Sequence, residues 1–171
     1  QMGLGPQSDL VAKVAEQIKT LTGVERVSFT ITGTQAVTLA RRLARAATGR
    51  NKIVQFAGAY HGIDNDVLAV GTEGGAVPLS PGIPQGMVDD VIVLDYNSPE
   101  ALAEIAARAG ELAAVMVEPV QSRRPGLQPH LFLRKLRRLT RELGIPLIFD
   151  EMINGFRVLP GGAQAWFGIE A

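Results

Sequence analysis

The sequence predicts an α/β fold, a three-layer sandwich built on a mostly parallel sheet. Three observations predict it. Stretches with a helical apolar period alternate with short apolar runs of strand length. Several of those runs are apolar at nearly every position, as in strands buried on both faces. The run Ile145–Phe149 stops abruptly at two acids, Asp150 and Glu151. In open α/β sheets the crevice beyond the strands' carboxyl ends is where ligands sit, so Asp150 arrives where chemistry is done and needs a positive partner.

Each element has its own signal. Ser8 caps a helix whose stripe is Val11, Val14, Ala15, Ile18 and Leu21, and Gly23 closes it. Arg26 to Ile31 reads as a strand. Ala36, Leu39, Ala40, Leu43 and Ala47 recur at helical spacing before the stop at Gly49. Lys52–Phe56 and Val91–Leu94 read as strands. Ser98-Pro99 starts a helix through Leu102, Ile105 and Ala109. Ala113–Val117 is a strand ending in Glu118, and Phe132, Leu136, Leu139 and Leu143 line the helix before Ile145–Phe149. Residues 71–86, rich in Gly and Pro and without period, read as one long loop. A loop of that length inside an α/β domain is expected either to gate a ligand or to be a plain surface excursion.

Composition narrows the classes. A chain of 171 residues can hold one domain with a core of its own. A formal net charge of zero argues against nucleic acid as a partner. No apolar run nears the roughly 20 residues that span a bilayer, and no basic segment leads into a hydrophobic one at the start. The expectation is a cytoplasmic protein with no membrane partner. Cysteine is absent, and two histidines make a metal site a poor expectation. The chain starts and stops without termination signals, so it is expected to be a piece truncated at both ends.

Four constellations fall at predicted strand ends. Thr32-Gly33-Thr34 precedes a helix, where unpaired N–H groups and a partial positive charge suit a phosphate; the plain alternative is a simple N-cap. Tyr60-His61-Gly62 offers two planar rings beside the crevice, with Tyr60 able to stack on a flat heterocycle or to pack at a strand end. Glu118 and Gln121 either point into the crevice or serve a loop hydrogen-bond network. Arg157 follows Asp150 closely and either pairs with a carboxylate or positions the next loop. The cations Arg134, Lys135, Arg137, Arg138 and Arg141 read as a solvated helix face. As an ordered set, phosphate turn, aromatic ring, Glu-Pro-x-Gln and strand-end Asp describe a site for pyridoxal phosphate, whose protonated ring nitrogen Asp150 would hold.

The order Thr32-Gly33-Thr34-Gln35-Ala36-Val37, Ala59-Tyr60-His61-Gly62, Val117-Glu118-Pro119-Val120, Ile148-Phe149-Asp150-Glu151-Met152 and Asn154-Gly155-Phe156-Arg157 resembles class III aminotransferases. Within them it is most similar to the branch containing glutamate-1-semialdehyde aminomutase. Gln121-Ser122-Arg123-Arg124-Pro125 and Leu127-Gln128-Pro129 resemble the aminotransferase domains of hybrid polyketide–peptide synthetases. The resemblance implies that residues 1–171 are a partial large domain of a fold-type-I pyridoxal-phosphate enzyme, homodimeric in its parent. It implies Gly33 and Thr34 at the cofactor phosphate, Tyr60 and His61 at the ring, and Gln121 toward its phenolic oxygen. Asp150 would meet the ring nitrogen, Met152 the other ring face, and Glu118 would shape the site as a catalytic residue. Residues 71–86 would be the active-site gate.

Two departures are expected to matter. Gln35 stands where the family commonly has Glu, altering a local hydrogen bond. The Schiff-base lysine has no counterpart among Lys13, Lys19, Lys52 and Lys135, so this chain alone is expected to be inactive. The implied reaction is amino transfer from a donor to a keto or aldehyde acceptor, with a β-ketoacyl chain on an acyl carrier protein as the finer expectation. The alternatives are a glutamate-1-semialdehyde-type aminomutase, a Rossmann-like nucleotide-binding module, and an inactive scaffold.

Overall fold

The computed structural model describes residues 8–171. The first helix, α1 (Asp9–Thr22), opens where the Ser8 hydroxyl accepts the Leu10 N–H at 3.3 Å and closes on Gly23 at φ 77°. Its apolar stripe is present but unburied, with Val14 and Leu21 exposed. The expected strand at Arg26–Ile31 does not form. An extended segment becomes a strand only by joining a ladder, and this one joins none among the described residues; Phe29 and Ile31 face outward.

Helix α2 (Gly33–Thr48) is capped by Thr32, whose hydroxyl accepts the Gln35 N–H at 3.2 Å. The Gln35 side chain reaches back to the Ile31 N–H at 3.0 Å, a capping box displaced by one residue. Strand β1 (Lys52–Phe56) follows. Then β2 (Ala69–Thr72) and β3 (Gly75–Pro78) pair antiparallel, with Val70 opposite Val77. This corrects the reading of residues 71–86 as irregular throughout. The two-residue turn Glu73-Gly74 makes a hairpin, and only the stretch after Pro78 is turns and a short 3-10 segment at Gln85–Met87. A Cβ at Gly71 would meet the Val93 carbonyl at 2.9 Å, so glycine permits the hairpin to lie close to the neighbouring strand.

That neighbour is β4 (Val91–Leu94). Helix α3 (Pro99–Ala107) starts at Ser98, which accepts the N–H groups of Glu100 and Ala101. Then come β5 (Leu112–Val117), α4 (His130–Glu142), β6 (Leu147–Phe149) and a short helix the sequence did not announce, α5 (Gly162–Phe167). The four-stranded sheet has the order β4-β1-β5-β6 and is parallel throughout, so all four carboxyl ends share one edge.

Alternation along the strands builds two cores. Val54, Phe56, Val115 and Val117 turn to one face, with Ile105, Leu133, Leu136 and Phe167. Ile53, Ala114 and Met116 turn to the other, with Val37 and Ala44 of α2. The three expected layers are present, and every residue of β5 is buried. On α4 the expected solvated cations are exposed except Arg137, which is half-buried with an unpartnered Nε; burial, then Arg141, lowers its pKa from the ordinary value. No helix among the described residues is long and apolar enough to cross a membrane.

Leu136 is fully buried between α4 and the sheet. Leu136→Ala should cost about 2–5 kcal/mol of stability, read as a lower urea midpoint with unchanged slope. An unmoved midpoint would remove this helix face from the core.

Candidate active site

Strand ends carry three loops to the same edge of the sheet: 57–63 after β1, 118–122 after β5, and 150–157 after β6. Asp150 answers the question of its partner. Its Oδ2 lies 2.7 Å from Nδ1 of His61, and Oδ1 accepts the Met152 N–H at 3.1 Å. An ionised carboxylate is acceptor-only, so with Asp150 charged the imidazole proton sits on Nδ1. Both side chains are buried, and His61 Nε2 has no partner among the described residues. The carboxylate still has unused lone pairs for one more donor.

The 57–63 loop is held from several sides. Glu118, also buried, accepts the Tyr60 N–H at 3.1 Å with one oxygen and the Ser122 N–H at 2.7 Å with the other. Gln121 is fully buried and donates to the Ala57 carbonyl at 2.9 Å. Thr34 Oγ1 accepts the Ile63 N–H at 3.3 Å. Gly62, at φ 95°, passes so near α2 that a Cβ there would come within 3.0 Å of Thr34 Cα. Behind the loop, the Tyr96 hydroxyl donates to the Pro119 carbonyl at 2.8 Å, and its pKa is raised by burial and then by Glu118. Its ring packs on Phe56 and Phe132.

At the start of α2, Ala36 is the first residue to make an intrahelical bond to Thr32, so the N–H groups of Gly33 and Thr34 stand ahead of the ladder. A Cβ on Gly33 would strike the Met152 sulfur at 2.8 Å. Gly33, Asp150 and Met152 together line a cavity of about 490 Å³, which Phe156 also walls. Phe156 holds φ 58°, a left-handed conformation rare for an aromatic residue. Tyr60, half exposed, and His61 line a second cavity of about 600 Å³ on the other side.

All the residues singled out from sequence therefore gather at one sheet edge, though not all face open space. Gly33, Asp150 and Met152 share one cavity, Tyr60 and His61 the other, and Thr34 bridges them through Ile63 and Gly62. Glu118 holds two loops with its two oxygens, while Gln121 holds Ala57 through Nε2 and its buried Oε1 has no partner among the described residues. Arg157 is exposed. Sequence reasoning missed the His61–Asp150 pair, and it missed Glu151, which turns away and caps α5 by accepting the Ala163 N–H at 2.6 Å. The signal for Glu151 was available: consecutive residues leaving a strand point to opposite sides. Asn154, donating to the Val120 carbonyl at 3.1 Å, was also missed as the tie between two of the loops.

An anion-accepting helix start and a buried carboxylate in one cavity fit the two ends of a phosphorylated, protonated ring. Such a site on a parallel sheet defines the large domain of a fold-type-I pyridoxal-phosphate enzyme. The chain belongs to the aminotransferase class-III family, whose profile matches residues 3–171. It is 47% identical over 149 residues to glutamate-1-semialdehyde 2,1-aminomutase of Methanothermobacter thermautotrophicus, covering 85% of this chain and 36% of that protein. Among solved structures, an omega-transaminase from Sphaerobacter thermophilus is similar at TM-score 0.87 and 34% identity, over 97% of this chain and 40% of that one. A transaminase with PLP (pyridoxal phosphate) bound is similar at TM-score 0.87 and 35% identity, over 98% and 41%. The chain thus spans well under half the length of these relatives.

Gly62→Ala should destabilise by about 1–3 kcal/mol through its backbone conformation alone, with a further loss from the contact with α2. Thermal unfolding measures it, and an unchanged melting temperature would show that the 57–63 loop does not need its close approach.

Proposed function

We propose that this chain is the cofactor-holding part of a pyridoxal-phosphate-dependent transaminase that moves an amino group onto a keto or aldehyde acceptor. The observation that carries the reading is the shared cavity of Gly33 and Asp150, with Met152 between them. When bound, pyridoxal phosphate supplies an electron-accepting ring that acidifies the Cα proton of an attached amine. The Gly33 and Thr34 N–H groups and the dipole of α2 hold the phosphate. Asp150 keeps a proton on the ring nitrogen by a charge-assisted bond, and His61 holds Asp150 in place. Met152 would pack against the ring from the cavity of Gly33 and Asp150, and Tyr60 would stack on it from the neighbouring cavity. Glu118 acts through the 57–63 loop that it fixes; Gln121 also ties that loop at Ala57, and the second hydrogen of its Nε2 is left for the phenolic oxygen.

Proton transfer at Cα needs a basic amine. Lys13 and Lys19 lie on α1, Lys52 begins β1 and Lys135 lies on α4, all away from the two cavities. On this reading the Schiff-base lysine belongs to the share of the family's length that these residues do not span, and the 171 residues alone turn over little or nothing. The parent is a cytoplasmic homodimer, and residues 71–86, the end of the hairpin and the stretch after it, are the gate over its site. The finer acceptor is a β-ketoacyl chain on an acyl carrier protein. The aminomutase reading is favoured by the name glutamate-1-semialdehyde 2,1-aminomutase, which the 47%-identical relative shares with others at 41% to 46% identity.

Two experiments test the proposal. Pyridoxal phosphate, and not a nicotinamide or adenine nucleotide, should change the absorbance and raise the melting temperature of the full-length parent; the reverse preference sinks the assignment in favour of a nucleotide module. In the same parent, Asp150→Ala should lower kcat by about 10²-fold or more, the scale of losing one group that stabilises developing charge. Near-wild-type turnover by that variant would overturn the role of Asp150.

A further inference from the structure

We propose that Arg123 and Arg124 form an anion-recognition subsite for the substrate, reading a carboxylate or a phosphate next to the Tyr60 ring; this rests on the transaminase reading above. Both side chains are exposed, and neither has an ion-pair partner among the described residues. Two adjacent free guanidiniums are common on surfaces. What separates this pair is how firmly it is registered to the site. Glu118 holds the Ser122 N–H with one oxygen and the Tyr60 N–H with the other, so one buried carboxylate fixes the arginine turn and the aromatic loop together.

The turn itself is closed by the Arg124 N–H to the Gln121 carbonyl at 2.8 Å and the Leu127 N–H to the Arg124 carbonyl at 2.9 Å. Gln121 in turn holds the Ala57 carbonyl. Above that loop, a Cβ on Gly58 would lie 3.7 Å from the Arg124 guanidinium carbon. Arg123 lines the 600 Å³ cavity with Tyr60 and His61. Guanidinium forks match carboxylate and phosphate geometry, and backbones pinned this way lose little entropy when they bind.

The same cavity is also lined by Asp95 and, from α3, by Glu100 and Glu104. Glu100 takes the Ser98 hydroxyl at 2.6 Å and Glu104 lies 3.5 Å from Arg108, so these two acids are engaged outside the arginine turn, while Asp95 has no such partner among the described residues. Their charge makes the cavity two-signed. An anionic end is favoured at Arg123 and disfavoured toward α3, which orients a substrate carrying one anion.

The test uses the cofactor-loaded full-length parent, so that the phosphate turn at Gly33 is already filled. Two pairs of acceptors are compared: a keto acid with its methyl ester, and a β-ketoacyl phosphopantetheine thioester with the matching N-acetylcysteamine thioester, which lacks the phosphate. Arg123→Ala should reduce the preference for the anionic member of one pair by about 10- to 100-fold, the range for losing a charge-assisted hydrogen bond, with the effect in KM. Collapse of the first preference identifies a carboxylate, and collapse of the second a phosphate on a carrier arm. Arg123→Lys should restore part of it.

Equilibrium dialysis of pyruvate and of phosphopantetheine against the loaded protein gives a readout independent of turnover, and one of them should lose binding in Arg123→Ala. If both preferences and both affinities survive Arg123→Ala and Arg124→Ala, the subsite is wrong. Retained visible absorbance of bound cofactor certifies that a variant is folded. Absence of that absorbance in the wild type would instead defeat the transaminase reading.

Discussion

A hydrogen bond of 2.7 Å between residues 89 positions apart holds the site in register: His61 Nδ1 against Asp150 Oδ2. A buried carboxylate left without donors is expensive, and a buried imidazole without an acceptor is costly too. The bond satisfies Asp150 Oδ2 and His61 Nδ1 together, so the loop after β1 and the end of β6 meet. They are not adjacent in the sheet, since β5 lies between their strands. The loop therefore has to reach across the end of β5, and the residues there, Glu118 and Gln121, are the ones that hold it down. Tyr60 inherits its position from this constraint, as does Gly62 against Thr34.

The acids at the strand ends divide their work by direction. Asp150 turns toward His61, while Glu151 turns the other way and caps α5. Glu118 spans two loops with its two oxygens. Three carboxylates that read alike in the sequence thus do three things, and the difference lies in which unpaired N–H groups stand nearby. Asp150 and Glu151 both line the cavity shared with Gly33, but Glu151 gives its two oxygens to the N–H groups of Ala163 and Gln164 at the start of α5, whereas Asp150 is held by an imidazole and one N–H beside the helix start.

Much of this was legible in the residues. The caps at Ser8, Thr32 and Ser98, the stops at Gly23 and Gly49, and the strands at 52–56 and 91–94 follow from local chemistry that needs no partner to be recognised. The ordered motifs at strand ends gave the neighbourhood of the site. Its internal wiring was not legible, because hydrogen-bond choice among Asp150, Glu151, Glu118 and Gln121 depends on distances that only the fold sets. The hairpin at 69–78 was hidden for a different reason. Its strands are four residues each and contain Gly71, Gly75 and Pro78, which weaken the alternation that marks a strand. The pair Val70 and Val77 around Glu73-Gly74 was the signal to weigh.

The remaining disagreements share a cause and a location. The α1 stripe is apolar yet unburied, and Arg26–Ile31 has strand composition yet no ladder. A run from Met152 through Ile153, Phe156, Val158 and Leu159 exposes apolar side chains beside them. Ile18 and Val24 from the first region and Phe156 and Gly161 from the last line the same cavity as Asp150. Apolar periodicity records where a residue is buried in the structure for which the sequence was selected. On this flank the pattern asks for cover that the described residues do not provide, while on α3 and α4 pattern and burial agree. Contiguous apolar exposure of this kind marks a surface meant to be covered, and the chain spans only 36% to 41% of the length of the relatives it matches. The disagreement on this flank is therefore one of burial among the described residues and not of the helical rule, since α1 forms where its caps and period place it.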